Sequence, residues 1–113
     1  MYKISEFAEM TGLSKETLRY YEDVKLLEPA YINPKNKYRY YDDGSFFLAV
    51  LLVKLRNLGF SIQEMKSIMN DESFGNLEQL MIQKRTKIEN QIAELRLQIE
   101  EIDEFLASGK EEK

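Results

Sequence analysis

The sequence predicts a mainly α-helical protein: a winged helix-turn-helix head with a small two-stranded wing, followed by a long C-terminal coiled-coil helix. Three observations predict this fold class. Two short amphipathic segments flank a glycine-containing turn, an aromatic and β-prone segment carries two prolines, and apolar residues recur at spacings of three and four through the last third of the chain. We expect the head over residues 1–72, the coiled-coil helix over 73–108 and a disordered tail over 109–113.

The composition excludes several classes of function. The 113 residues include no cysteine and no histidine, which removes disulfides, thiolate nucleophiles, zinc fingers, iron–sulfur centres and histidine acid–base chemistry. A catalytic carboxylate pair is also disfavoured, because Glu22 and Asp23 are adjacent and adjacent residues do not share a helix face. We therefore expect no catalytic residue, no metal and no cofactor, and we interpret the protein as not an enzyme.

The net charge of −4 is unevenly distributed along the chain. Residues 1–74 carry ten Lys and Arg against eleven Asp and Glu, whereas residues 75–113 carry six against nine. The segment 31–41 holds Lys35, Lys37 and Arg39 and no acidic residue. Because local charge matters more than the total, the acidic average does not exclude a nucleic-acid partner. The N-terminus lacks a signal-peptide pattern and no stretch is apolar enough to span a membrane, so we expect a cytoplasmic protein.

Two short helices are predicted first. Gly12 follows the first apolar pattern as a left-handed stop, and Ser14 stands where the N-cap of a second helix belongs, with the end of that helix near Asp23. Ile4, Phe7 and Ala8 form the apolar pattern of the first helix, and Leu18 and Tyr21 supply the inward side of the second. A pair of helices joined by a short turn with glycine is typical of a helix-turn-helix.

A two-stranded ribbon is predicted next. Pro29 and Pro34 prevent a continuous helix, and the segments 31–32 and 37–41 on either side of the turn are aromatic and β-prone. The period of two puts Lys37, Arg39 and Tyr41 on one face and Tyr38 and Tyr40 on the other. One face could contact phosphate while the other packs inward, or the aromatic rings could serve packing alone.

Two further helices are predicted before the last one. Residues 46–53 are eight consecutive apolar residues, and their flanking residues favour a helix from about 43 to 58. We expect Phe46, Phe47 and the rest of this run in the core, with a ligand pocket as a minor alternative. Ser61 and Glu64 form a capping box for a fourth helix that should end by Asn70.

The last segment has the heptad pattern of a coiled coil, opened by Ser73 or Asn76. Arg85 interrupts the seam, where we expect either local splaying or a pairing with an acid across it. At about 1.5 Å per residue, a helix over 75–108 would be roughly 50 Å long and needs a partner helix. The predicted dimerisation residues are Met81, Ile88, Ile92, Leu95, Ile99, Ile102 and Leu106.

The second helix is the candidate recognition helix. Lys15, Glu16, Arg19 and Tyr20 lie on the arc that faces away from its apolar side, with Thr17 at the margin. Arg and Lys can bond to guanine and a Thr methyl can contact thymine. A charged helix face is more often simply solvated, but the position directly after Gly12-Leu13-Ser14 favours the recognition helix here. Arg56 could contact phosphate or stabilise the dipole of its own helix. The candidate DNA-binding residues are Ser14, Lys15, Thr17, Arg19, Tyr20, Lys37, Tyr38, Arg39 and Arg56.

An ordered set of motifs resembles the MerR family of bacterial transcription regulators, and looks closest to its BmrR-like, multidrug-responsive branch. The motifs are Ile4-Ser5-Glu6-Phe7-Ala8, Thr17-Leu18-Arg19-Tyr20-Tyr21-Glu22, Leu26-Leu27-Glu28-Pro29, Tyr38-Arg39-Tyr40-Tyr41 and residues 58–65. The resemblance implies a homodimer with antiparallel final helices, which binds a palindromic operator and distorts the DNA so that RNA polymerase engages the promoter. It also implies DNA contacts from Arg19 and Tyr20, from Tyr38 and Arg39 in the wing, and from Arg56.

The sequence departs from the family pattern at several positions. Lys25 and Lys37 stand where family members commonly have Gly, and Tyr31 stands where they have Arg. No inducer-binding domain follows residue 113 in this chain, so we expect either a fragment or a short regulator. The rival hypothesis from the sequence is a coiled-coil interaction adaptor, suggested by the acidic C-terminal segment.

Overall fold

The computed structural model describes residues 1–71 and 74–111. Its elements in chain order are β1 (Tyr2–Lys3), α1 (Ile4–Thr11), α2 (Lys15–Asp23), β2 (Tyr31–Ile32), β3 (Arg39–Tyr41), α3 (Asp43–Asn57), α4 (Ile62–Asn70) and α5 (Leu77–Glu111). The chain divides into two compact units, residues 1–74 and 75–113. The predicted fold class, a helical head with a small sheet and a long last helix, is confirmed. Among the described residues, none of the helices combines the length and apolarity that a membrane crossing requires.

The helix-turn-helix forms where its local signals predict it. Gly12 ends α1 in the left-handed conformation, at φ 79°, and its N–H donates to the Ala8 carbonyl at 2.9 Å. Ser14 begins α2, and its hydroxyl oxygen accepts the Thr17 N–H at 3.0 Å. Both predictions, the glycine stop and the serine cap, are confirmed.

The sheet has three strands rather than the predicted two. Its order is β1-β3-β2 with both pairings antiparallel, so that β3 is the central strand. The missing strand is β1, in which Tyr2 lies opposite Tyr41 and Lys3 opposite Tyr40. Two residues are too few to show a period of two, which is why the sequence pattern did not reveal this strand. The strand predicted over 37–41 is shorter as well, because Lys37 has a φ of 64° and cannot continue a ladder.

Stacked aromatic rings join the sheet to the helices. The rings of Phe7 in α1 and Tyr41 in β3 lie 4.4 Å apart at an interplanar angle of 8°, and both residues are 0% exposed. Around them pack the other buried apolar residues of the head: Leu13, Leu18, Tyr21, Leu26, Leu27, Ala49, Leu52, Leu55, Phe60, Met65 and Ile68. This core holds β3 against the helix-turn-helix.

The apolar run in α3 is only partly in the core, which corrects the prediction. Phe47 is 73% exposed, Leu48 and Val50 are exposed as well, and Phe46 is half-buried. The buried positions of α3 are Ser45, Ala49, Leu52 and Leu55. They are spaced by three and four, so the head covers one side of this helix and leaves the other side open. A continuous apolar run contains no information about which side that is.

The capping box of α4 is confirmed. The Glu64 N–H donates to the Ser61 hydroxyl at 3.1 Å, and the Ser61 N–H donates to the Glu64 carboxylate at 2.9 Å. The helix ends at Asn70, as predicted. These two reciprocal bonds satisfy backbone donors that a helix start otherwise leaves unpaired.

The second unit consists of α5. The Leu80 N–H donates to the Asn76 carbonyl at 3.0 Å, which makes Asn76 the residue that opens the helix; the alternative, Ser73, lies outside the described residues. The helix continues to Glu111, three residues past the predicted end at 108, because Gly109 does not break it. Of the predicted disordered tail, residues 109–111 are therefore helical, and 112–113 lie outside the described residues.

The first prediction concerns the hydroxyl of Tyr41, which is buried without a hydrogen-bond partner among the described residues. Tyr41→Phe keeps the stack on Phe7 and removes the unsatisfied group, so the variant should be more stable at pH 7 by about 1 kcal/mol. Urea denaturation of both proteins measures this difference. Tyr38→Phe, at an exposed position, is the control and should leave stability unchanged.

The same variant should also differ from the wild type in the pH dependence of its stability. Burial raises the pKa of Tyr41 above its ordinary value, so the folded state holds this proton more tightly than the unfolded state does. The resulting stability is present below about pH 10 and is lost as the pH rises through the folded pKa. Tyr41→Phe should therefore lose less stability than the wild type above about pH 10. Equal alkaline losses in the two proteins would contradict this account.

Candidate nucleic-acid interface

A basic cleft of about 360 Å³ lies between the start of α1, the candidate recognition helix α2 and the wing, which consists of β2, β3 and the turn between them. Its lining residues are Lys3, Ile4, Ser5, Lys15, Arg19, Lys37, Tyr38 and Arg39. Five of these eight side chains are cationic and none is acidic, although the whole protein is acidic. Such a concentration of positive charge on one face is the electrostatic footprint expected of a phosphate-binding surface.

The recognition helix presents Lys15 and Arg19 to this cleft because they are four residues apart on its exposed side. Leu18 and Tyr21 occupy the opposite side and are buried. The Ser14 hydroxyl also donates to the Thr17 hydroxyl at 2.9 Å. Two of the predicted DNA-binding residues are thus hydrogen-bonded to each other at the start of α2.

A neighbouring groove collects two other predicted residues. Tyr20, on α2, lines it together with Arg56, from the last turn of α3, and Thr17 and Ser61 lie at the same groove. The fold therefore brings Arg56 to the recognition helix from a position 36 residues later in the sequence. Arg56 thus lies beside α2, and as a residue of the last turn of α3 it also interacts favourably with the dipole of its own helix.

An ion pair connects the wing with the recognition helix. The Arg39 Nε lies 2.5 Å from the Glu22 Oε1, and the Arg39 Nη2 lies 3.3 Å from the Glu22 Oε2. The hydrogen bond to Glu22 raises the pKa of Arg39 above its ordinary value. The face of β3 that carries Arg39 and Tyr41 is thus the inward face, whereas Tyr40 contacts Tyr31 of the neighbouring strand at a ring distance of 6.0 Å.

The tip of the wing is held by asparagine side chains. The Asn33 Oδ1 accepts the Lys35 N–H at 2.8 Å, and the Asn36 Oδ1 accepts the Tyr38 N–H at 2.9 Å. Between these two bonds, Lys37 is in the left-handed conformation with its N–H bonded to the Asn33 carbonyl at 2.8 Å. The turn therefore directs Lys37 and Tyr38 into the basic cleft at the cost of backbone strain.

Sequence reasoning missed Lys3, Ile4 and Ser5, which also line the cleft. Lys3 belongs to β1 and immediately precedes α1, and its N–H donates to the Glu6 carboxylate at 3.2 Å. A basic residue at a helix start is not informative by itself. The position of Lys3 at the cleft follows from its pairing with Tyr40 of β3. This pairing joins residues far apart in the sequence, so the sequence pattern does not reveal it.

The predicted dimerisation residues lie along α5. Most of them are exposed: Ile88, Ile92, Leu95, Ile99, Ile102 and Leu106. Met81 is half-buried. Arg85 lies 3.6 Å from Glu89 of the next turn, so part of its charge is already balanced within the helix.

Comparison with known proteins identifies the family. The model described as MerR HTH family regulatory protein matches residues 2–72, and a second, described as MerR, DNA binding, matches residues 51–106. The chain belongs to the MerR family. The resemblance seen in the sequence motifs is confirmed, and the basic cleft of this MerR chain lies within the residues that the first model matches.

Individual relatives support the same assignment. The Multidrug-efflux transporter 1 regulator of Bacillus subtilis (strain 168) is 35% identical over 71 residues, which cover 63% of this chain and 26% of that protein. EcmrR in its DNA complex is similar with a TM-score of 0.80 and 31% identity, over 96% of this chain and 40% of that one. The N-terminal part of Mta, a multidrug transporter activator of Bacillus subtilis, shares the fold with a TM-score of 0.84 at 24% identity, over 94% of this chain and 98% of that one. The first of these relatives supports the BmrR-like branch. The MerR chain described here spans less than half the length of the first two.

The second prediction uses the two lysines at positions where glycine is common in the family. Lys25 and Lys37 have φ values of 60° and 64°. Glycine relieves this strain, so Lys25→Gly and Lys37→Gly should each raise stability by about 0.5–1 kcal/mol. Only Lys37 lines the basic cleft. Lys37→Gly should therefore weaken DNA binding several-fold, whereas Lys25→Gly should leave it unchanged.

Thermal unfolding and fluorescence anisotropy with a labelled duplex measure the two effects. The slope of log affinity against log salt concentration should fall by about one for Lys37→Gly and should not change for Lys25→Gly. Equal affinity losses for the two variants would mean that glycine acts through flexibility rather than through the lost ammonium group.

Proposed function

We propose that this chain is a transcriptional regulator that binds a palindromic promoter operator as a homodimer and distorts the DNA to control transcription. The observation that carries the proposal is the basic cleft, which combines the exposed side of the recognition helix with the wing. Membership of the MerR family supports it, because the matching models describe regulatory and DNA-binding proteins.

The geometry supports a division of labour between the elements. The recognition helix enters the major groove, where Lys15 and Arg19 bond to base edges or to the flanking phosphates and Thr17 contacts a thymine methyl. The wing, through Lys37, Tyr38 and Arg39, follows the sugar–phosphate backbone. Tyr20 and Arg56 contact the backbone on the other side of the helix, from the groove that they share.

The similarity to EcmrR, whose structure contains DNA in the EcmrR-RPo complex, supports action at a promoter together with RNA polymerase. A regulator of this kind acts where the bacterial chromosome is, so we place it in the cytoplasm. The interaction-adaptor hypothesis is not supported, since the residues of the head match a family of DNA-binding regulators. The same family membership favours regulation over catalysis.

The third prediction tests DNA recognition. Wild-type protein should enrich a palindromic sequence from a random duplex library, and should bind the selected duplex at least about a thousandfold more tightly than an unrelated duplex. Arg39→Ala should weaken binding to both duplexes and flatten the salt dependence by about one, because a phosphate contact is lost. Lys15→Ala should instead change the preferred sequence if Lys15 contacts a base. Equal binding to selected and unrelated duplexes at physiological salt would refute the proposed function.

The α5 seam supports an antiparallel homodimer. In a parallel pair, Arg85 would meet the partner's Arg85 within the seam, which is unfavourable. In an antiparallel pair centred between Ala93 and Glu94, Arg85 instead lies opposite the partner's Ile102 and next to the partner's Asp103. This register pairs the other six apolar seam positions with one another: Ile92 with the partner's Leu95, Ile88 with the partner's Ile99, and Met81 with the partner's Leu106.

The fourth prediction tests this register in a protein that has no natural cysteine. Met81 and Leu106 are about 37 Å apart along one helix. Met81→Cys and Leu106→Cys chains, when co-expressed and oxidised, should form a disulfide-linked heterodimer, whereas neither variant alone should crosslink. Crosslinking of each variant with itself would indicate parallel helices, and a monomer in sedimentation at micromolar concentration would exclude the dimer.

A further inference from the structure

The carboxylate of Glu22 lies directly beside the cationic cleft, where a negative charge is unfavourable for phosphate binding. The Glu22 side chain is 20% exposed and accepts two hydrogen bonds from Arg39, whose side chain is 36% exposed and lines the cleft. A negative charge at this place lowers the attraction of the surface for phosphate.

The two hydrogen bonds fix the orientation of the guanidinium group. A guanidinium has five N–H bonds in one plane, and Glu22 accepts one from Nε and one from Nη2. The other three have no partner within residues 1–71 and 74–111 and remain available to a ligand in the cleft. A two-point contact sets the plane of the group, which a single-point contact does not. Arg39 is therefore already oriented before DNA arrives.

The same contact fixes the wing with respect to the recognition helix. Glu22 lies in α2 and Arg39 in β3, and the two are 17 residues apart in the sequence. Lys37 and Tyr38 immediately precede Arg39, so their places in the cleft depend on where β3 is held. The stack of Tyr41 on Phe7 holds the C-terminal end of β3. The Arg39–Glu22 ion pair holds the other end of the strand, which is next to the wing tip.

We propose that Glu22 is a positioning residue for DNA binding: it orients the Arg39 guanidinium and the wing tip toward the phosphate backbone. The inference rests on the proposed function and adds to it a residue that does not contact DNA. Its physical basis is preorganisation, since side chains that are already ordered lose less conformational entropy on binding.

The fifth prediction compares Glu22→Gln with Asp23→Asn. Both substitutions remove one negative charge from the end of α2, but Asp23 is exposed and does not share the two hydrogen bonds to Arg39. If charge alone matters, both variants bind DNA more tightly. If Glu22 positions Arg39, Glu22→Gln should bind the duplex selected by the wild type roughly tenfold more weakly and with a salt slope lower by about one, whereas Asp23→Asn should bind as tightly as the wild type or more tightly.

A double-mutant cycle with Arg39→Lys isolates the pair. Lysine keeps the positive charge but cannot form the two-point contact, so Glu22→Gln should cause no further loss in the Arg39→Lys background. Thermal unfolding and stoichiometric titration of the active fraction of each variant serve as controls for misfolding. Misfolding would lower the active fraction but would not change the slope of log affinity against log salt concentration.

The outcomes separate this inference from the proposed function. Loss of affinity in Glu22→Gln that disappears in the Arg39→Lys background supports the positioning role. If the wild type binds its selected duplex and Glu22→Gln binds it as tightly or more tightly, the inference is overturned and the proposed function stands. An equal loss of affinity in the wild-type and Arg39→Lys backgrounds has the same consequence. Failure of the wild type itself to select any duplex overturns the proposed function, and the inference with it.

Discussion

The attachment of the central strand β3 to the helix-turn-helix is the constraint on which the candidate interface depends. One face of this short strand carries Tyr41, stacked on Phe7, and Arg39, paired with Glu22. The first contact is apolar and fully buried, and the second is polar and partly buried. Together they hold the wing at a fixed place beside α2. Without them, the cationic side chains of the wing and of the recognition helix would not form one surface.

This arrangement explains how an acidic protein can present a cationic site. The acidic excess lies mainly in residues 75–113, the unit formed by α5, whereas the basic cleft takes its residues from β1, α1, α2 and the wing. Interactions between exposed charges are screened within roughly 10 Å at moderate salt. Local composition therefore governs phosphate binding, and the average charge mainly affects solubility.

The sequence predicted those features that depend on local signals. Gly12, Ser14 and the Ser61–Glu64 box each act within one helix turn, so the helix boundaries in the head could be predicted from them. The features it did not predict depend on contacts between distant residues. Strand β1 exists only through its pairing with β3, and the exposed side of α3, with Phe47, depends on which side the head covers. Most of the cleft was predicted, but Lys3, Ile4, Ser5 and the partner of Arg39 were not, since their roles arise from tertiary contacts.

The most direct test of the central claim is a map of backbone amide chemical shifts in isotope-labelled protein, recorded with and without the duplex that the protein selects. The account predicts that the largest changes fall on Lys3, Lys15, Arg19 and on 37–39, the residues around the basic cleft. Changes concentrated instead on the exposed side of α3, around Phe47 and Val50, would contradict it, because that surface would then be the site at which this protein meets its ligand.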